Sequence, residues 1–178
     1  IWRLMTPAMR DNRLPVVVEL EAPPDVETAL AQLAAQPHSV LLDSAVRDGK
    51  LGRYSFLAAD PFEFFVLQDR SFDGLGLVAE LLQTWPAASQ TGLPPFQGGA
   101  VVLLSYELGQ SLERVPAARH DEFELPAMAV GLYDTVLAID HFQRRAWLIS
   151  QGFPETDAQA REERARERIA EFREWLAV

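Results

Sequence analysis

The sequence predicts an α+β fold of mainly antiparallel sheets with flanking helices, and three observations carry that expectation. Apolar, β-branched runs recur in adjacent pairs, as at residues 54–58 with 62–67 and residues 127–141 with 145–150. A few segments between them place apolar residues at helical spacing instead. The stretch Gly74-Leu75-Gly76-Leu77-Val78-Ala79 formally fits a dinucleotide fingerprint, but it follows the polar turn 68–73 and not a buried parallel strand. No βαβ unit is implied, and strands in pairs with interspersed helices make an α+β domain.

In chain order, residues 1–13 show no period and are left unassigned. Residues 14–20 read as a strand from their valine run, and Pro23-Pro24 ends it. Asp25 caps a helix whose Val26, Ala29, Leu30, Leu33 and Ala34 share one face, and Pro37 stops it. Residues 39–43 form a short buried strand, followed by a polar turn over 44–53 with Gly49 and Gly52. Residues 54–58 and 62–67 read as a hairpin through Asp60-Pro61. A helix over 75–85 has Leu75, Val78, Leu82 and Trp85 as its inner stripe, with Pro86 as terminator.

The next stretch, 94–116, opens on paired prolines and glycines. It continues as the unalternating apolar block 100–104, a strand buried on both faces, and closes as a short amphipathic turn. Residues 127–141 read as one long strand bent at Gly131, paired with residues 145–150 across Phe142-Gln143. The last helix starts at Glu155 with Thr156 and Gln159 as a capping box. Its stripe is Ala158, Ala165, Ile169, Phe172 and Leu176, with Glu162 and Arg166 paired on the outer face.

The 178 residues suffice for one domain, 1–178, able to bury about 70% of the surface its unfolded chain exposes. A net charge of -10 argues against nucleic acid or an anionic membrane as partner. With no cysteine, neither a disulfide framework nor a thiolate zinc site is available. No apolar run reaches the ~20 residues of a membrane span, and no signal peptide opens the chain. Beginning at Ile1 and stopping at Val178 inside a helical pattern, the sequence reads as part of a longer protein.

Catalytic constellations are sparse. His38, His120 and His141 lie far apart; only His120-Asp121-Glu122 groups metal-type side chains, and adjacent residues seldom face one ion. The serines occupy no nucleophile elbow, and Glu107 and Glu113 read as solvent-facing. The strongest local candidate is Leu41-Leu42-Asp43-Ser44 with Arg53-Tyr54-Ser55. Asp43 would take the ammonium of an amino-acid zwitterion and Arg53 its carboxylate. Turn capping by Asp43 and Ser44 beside a surface arginine fits the same residues.

Taken together, LLDSA (41–45), GRYSFLAADPF (52–62), PPFQGGAVVLLSYELGQSLERVP (94–116) and AMAVGLYDTVLAIDH (127–141) resemble the amino-terminal region of the anthranilate synthase component I family of chorismate-utilising synthases. The SYELGQSLERVP run ahead of AVGLYDTVLAIDH is similar to the aminodeoxychorismate, para-aminobenzoate branch.

The resemblance implies that this chain contributes to a two-sheet α/β sandwich interleaved with a carboxy-terminal region. That region would carry the chorismate pocket and the ligands of Mg2+. It also implies a glutamine amidotransferase partner, component II, a cytoplasmic setting, and no catalytic residue or metal ligand in this chain, which alone would be inactive. What this chain would supply is a tryptophan pocket from Leu41, Leu42, Asp43 and Ser44, closed by Arg53 and Tyr54. Asp43 stands where the family has the longer Glu, which would leave room for a water to reach the ammonium. Val102-Leu103 stand where relatives often have Gly-Tyr, a packing variation. The competing expectations are a feedback-regulated anthranilate synthase region, a stand-alone amino-acid-binding regulatory module, and a scaffold with no ligand.

Overall fold

The computed structural model describes residues 14–44, 46, 51–114, 116 and 122–177. Among the described residues, eight strands and three helices run in the order β1 (Val16–Glu19), α1 (Val26–Leu33), β2 (Val40–Leu42), β3 (Tyr54–Ala58), β4 (Glu63–Leu67), α2 (Gly74–Thr84), β5 (Gly99–Leu104), β6 (Met128–Tyr133), β7 (Thr135–Asp140), β8 (Arg145–Ser150) and α3 (Ala158–Trp175), with a 3-10 turn at Tyr106–Ser111. Every strand pair is antiparallel. One sheet has the order β1-β8-β7-β3-β2 and the other β4-β6-β5. The α+β expectation therefore holds.

Strand alternation builds four layers. On β7, Leu137 and Ile139 point to one side and pack with Leu57, Leu148, Ala29 and Leu33 and with Ile169 and Phe172 of α3. Val136 and Ala138 point to the other side, toward Phe56, Phe96 and Val101 between the sheets. Met128, Val130 and Leu132 of β6 turn away from that interior and are covered by Leu77, Val78 and Leu81 of α2. Burying such side chains at roughly 1.5–3 kcal/mol each is the main force holding the layers together.

Several sequence expectations need correction. β3 and β4 do not form a hairpin: β3 pairs with β2 and β7, while β4 pairs with β6 in the other sheet. Asp60-Pro61 is a crossing between sheets, where the Phe62 N–H donates to the Leu132 carbonyl at 3.0 Å. The long run 127–141 is two strands in different sheets, divided at Asp134 and not bent at Gly131. At Gly131 a Cβ would stand 2.6 Å from the Tyr133 ring, so its small size admits that ring.

Residues 100–104 form an edge strand, with Leu103 and Leu104 about half exposed. β2 is likewise a partly buried edge strand, not a buried one. In α2 the inward-facing, partly buried stripe is Leu77, Val78, Leu81 and Trp85, whereas Leu75 and Leu82 face outward. Asp157, not Thr156, caps α3, accepting from the Gln159 and Ala160 N–H groups. Ala158 is exposed, while Arg161 and Arg168 are buried on the same helix.

Arg168 joins the layers at the two crossings. Its Nη1 donates to Asp60 Oδ2 at 2.9 Å and to Glu171 Oε2 at 2.6 Å, and Nη2 donates to the Asp60 carbonyl at 2.9 Å. Nε lies 3.4 Å from Asp134 Oδ1. Burial pushes the Asp134 carboxyl above its usual range against the pull of Arg168. The segment between α2 and β5 is held by two buried amides. Gln97 bonds the Gln90 and Pro94 carbonyls, and Gln151 bonds Ala88 and the Gln97 carbonyl.

Candidate functional site

Antiparallel register brings three strand ends to one corner of the larger sheet. Leu42 lies opposite Phe56 and Tyr54 opposite Asp140, so the carboxyl ends of β2 and β7 meet the amino end of β3. This corner is at the far end of the sheet from Asp134. Side chains 12 to 87 positions apart in sequence become bonded neighbours there.

A cleft of about 1010 Å³ opens between this corner and β5. Leu42, Asp43, Ser44, Arg53 and Tyr54, the five candidate residues, all line it, as does Leu41. Apolar lining comes from both sides, from Phe56 on β3 and from Phe96 and Val101 across from it, with the two phenylalanine rings edge to face at 5.7 Å. Gly52 gives the loop its turn at φ +67, and a Cβ there would fall 1.6 Å from the Val46 carbonyl oxygen. A cleft with apolar lining and a few convergent polar groups suits a small amphiphilic molecule.

The polar side is tied into the sheet. Arg53 donates through Nε at 3.0 Å and Nη2 at 2.6 Å to Asp140 Oδ2, while its guanidinium lies 4.8 Å from the Tyr54 ring centroid. Asp140 is 2% exposed, and its Oδ1 accepts from the Phe142 and Gln143 N–H groups at 2.9 Å each. Burial would raise the Asp140 carboxyl. The hydrogen bond from Arg53, the Gln143 N–H, the Arg53 charge and the Phe142 N–H together outweigh it and hold the group below the usual carboxylate range. Hydrogen bonding to Asp140 in turn raises Arg53.

Asp43 is held by a different pair. Its Oδ1 accepts from the Ser55 hydroxyl at 2.5 Å, and the same hydroxyl oxygen lies 2.5 Å from His141 Nε2. The His141 backbone N–H donates to the Arg53 carbonyl at 2.9 Å, which seats the turn after β7 beside β3. Asp43 and His141 also line a second cleft, about 490 Å³, under the start of α1.

Sequence reading missed Asp140 and His141 at this corner. The available signal was the change from the apolar run Val136 to Ile139 into Asp-His, a strand ending in two chemically capable side chains. Their partners are 87 and 86 residues away, and only the pairing of β3 with β7 reveals them. The dinucleotide-like stretch is the start of α2, capped by Asp73. His38 stacks on Phe64, and Glu113 is exposed. The His120-Asp121-Glu122 trio lies largely outside the described residues, as do Ala45 and Gly49. Among the described residues no three His, Asp or Glu side chains converge as a metal-binding set, and no helix is long and apolar enough to cross a membrane.

No protein-family model matches the chain. It is 31% identical over 156 residues to aminodeoxychorismate synthase component 1 of Klebsiella aerogenes, covering 79% of this chain and 35% of that protein. With the Escherichia coli (strain K12) protein of the same description it shares 30% over 161 residues, or 74% of this chain and 35% of that one. With anthranilate synthase component 1 of Mycobacterium tuberculosis (strain ATCC 25618 / H37Rv) it shares 32% over 147 residues, or 71% and 28%. The chain thus spans about a third of the length of the curated relatives it matches. A crystal structure of anthranilate synthase component I from Streptococcus pneumoniae TIGR4 aligns with a TM-score of 0.53 over 73% of this chain and 32% of that one. At 19% identity this is a likeness of fold.

Proposed function

We propose, for a chain related in sequence to component 1 of the aminodeoxychorismate and anthranilate synthases, that it is the amino-terminal part of a chorismate-aminating synthase. We further propose that its cleft holds an amino acid, tryptophan. The observation that carries the synthase reading is the 31% identity sustained over 156 residues. The aminodeoxychorismate branch, leading toward para-aminobenzoate and folate, rests on the run at 105–116 followed by that at 129–141. The anthranilate branch is the second reading, favoured by the 32% identity over 147 residues to the mycobacterial protein.

In this reading the whole enzyme adds ammonia, delivered by a glutamine amidotransferase component II, to chorismate. Magnesium would be held by the carboxy-terminal region. This chain alone makes no product. It supplies the frame and the amino-acid pocket: Phe56 and Phe96 face the indole, Asp43 takes the ammonium, and Arg53, anchored by Asp140, takes the carboxylate. Leu42, Ser44 and Tyr54 complete the mouth.

The apolar row Val66, Ala129 and Leu103 across the smaller sheet supports the presence of further chain. Val66 is 53% exposed and Leu103 48%, on the side that faces the other sheet.

The test is product analysis of the full-length native protein with chorismate, an ammonium salt and magnesium. Formation of 4-amino-4-deoxychorismate is expected, anthranilate would transfer the proposal to the second branch, and neither product would remove the synthase reading. Tryptophan binding by an otherwise inactive full-length protein would instead identify a stand-alone regulatory module.

A further inference from the structure

Phe96 reaches the cleft from an irregular segment. Between the end of α2 at Thr84 and the start of β5 at Gly99, the fourteen residues 85–98 form neither helix nor strand. Stretches of that length without secondary structure are uncommon in a compact domain and usually serve a function. Two buried side-chain amides hold this one, Gln97 at 4% exposure and Gln151 at 2%. A glutamine amide offers two hydrogens and an acceptor oxygen. Gln97 accepts the Gln90 N–H at 2.8 Å and donates to the Gln90 and Pro94 carbonyls at 3.0 Å each. Gln151 accepts the Ala88 N–H at 3.1 Å and donates to the Ala88 and Gln97 carbonyls at 2.8 Å each. Each amide thus satisfies main-chain groups as a neighbouring strand would. The Gln151 N–H donates to the Asp134 carbonyl at 2.8 Å, which anchors this clasp on the crossing between the sheets. Gly98 passes it at φ +123, where a Cβ would stand 2.8 Å from Gln151 Cγ.

Directly before Gln97, the Phe96 ring stands at 87° to the Phe56 ring, with centroids 5.7 Å apart. Two perpendicular planes form a corner. A flat ring entering it lies parallel to one plane and edge to face with the other, both arrangements that aromatic pairs favour, whereas a puckered saturated ring gains neither. We propose that Gln97 and Gln151 are positioning residues for Phe96, and that the corner they fix makes Phe96 a specificity-determining residue, selecting an aromatic amino-acid side chain over a saturated one. A ring already held in its binding position loses little freedom when the ligand arrives. The inference rests on the amino-acid reading of the cleft given above and adds which side chain the amino acid carries.

The test titrates the full-length protein with L-tryptophan and with L-cyclohexylalanine, which carries the same ammonium and carboxylate on a saturated ring, and reads the ratio of the two affinities. The wild type is expected to prefer tryptophan. Phe96→Leu is expected to lower the ratio about two- to tenfold, and Phe96→Tyr, which keeps the ring, to preserve it. Gln97→Met keeps much of the volume but none of the amide's bonds and is expected to lower the ratio as Phe96→Leu does; Gln151→Met should act in the same direction. Added to Phe96→Leu, Gln97→Met should leave the ratio where it is, because a residue that acts through the ring has nothing left to move. Glutamines with a merely structural role would weaken both ligands alike in either background. That result, an unchanged ratio in Phe96→Leu, or equal wild-type affinity for the two ligands would overturn the inference while leaving the amino-acid reading standing. A wild-type protein that binds neither compound would overturn both together.

Discussion

Replacing Arg168 by Met removes a cation from a site that is 3% exposed, while the thioether chain fills much of the vacated volume. Two of its carboxylate partners, Asp60 and Glu171, are about two-fifths exposed and can be rehydrated, so those pairs contribute no more than about 1 kcal/mol each. Asp134 cannot be rehydrated. It is 2% exposed, its Oδ2 has no hydrogen-bond partner, and Arg168 Nε is 3.4 Å from its Oδ1. Stranding a buried charge by deleting its partner costs about 3–5 kcal/mol. For a chain of this size that corresponds to a fall in Tm of about 6–20 °C.

Because burial already raises the Asp134 carboxyl, protonating it at acid pH removes the stranded charge. The Arg168→Met penalty should therefore be largest at neutral pH and shrink as pH falls through the folded value. Adding Asp134→Asn should recover about 1–3 kcal/mol of the loss, a coupling typical of residues in contact. Urea unfolding of the wild type, both single variants and the double variant at pH 7 and pH 5 measures all of this. A penalty under about 1 kcal/mol, or a double variant no more stable than Arg168→Met, would refute the reasoning.

Asp140 sits below its ordinary carboxylate value in the fold. The stability it contributes is present above the unfolded value of about 3.9 and disappears as pH falls through the folded one. Asp140→Asn should accordingly be less stable than wild type at pH 7, by about 1.5–3 kcal/mol, and the two urea midpoints should converge in acid. Gly52→Ala places a Cβ against the Val46 carbonyl at a positive φ. It should lose more than about 1 kcal/mol in the same assay and weaken tryptophan binding. Gln151→Ala removes the amide that bonds Ala88 and the Gln97 carbonyl. Faster amide hydrogen exchange across residues 88–97, with a loss of about 1–3 kcal/mol, is the expected result.

Local signals in the sequence were sufficient for most elements. The valine run of β1, the Asp25 cap of α1 and the β7-β8 hairpin stand within a few residues of where pattern and propensity place them. Sheet membership was not legible. Asp60-Pro61 has the chemistry of a hairpin turn, and nothing within six residues of it reveals that β4 finds β6 instead of β3. At Asp134 a single polar residue inside an apolar run reads as the solvent face of one strand, whereas it marks the change of sheet.

The α2 stripe was misphased because Leu75, Leu77, Leu81 and Leu82 supply two competing apolar faces, and only the position of β6 chooses between them. The burial of Arg161 and Arg168 has no local signal, because it depends on partners outside their helix, the Gln151 carbonyl and Asp134. The candidate site was half visible for the same reason. Leu42, Asp43, Ser44, Arg53 and Tyr54 lie close in sequence, while Asp140 and His141 reach them through β3-β7 pairing.

The two crossings lie at the same corner, gripped by one guanidinium, and the cleft mouth lies at the other end of β7. Mechanically this is a pair of leaves riveted along one edge, with Asp134 at the fulcrum. The six residues Thr135–Asp140 form a lever arm of roughly 20 Å at about 3.3 Å per residue. A rotation of about ten degrees at the rivet would displace the mouth by roughly 3.5 Å on that arm. Any opening of the two leaves about that edge would therefore be widest where Asp43 and Arg53 stand, and a molecule bridging the mouth would act there on the longest arm.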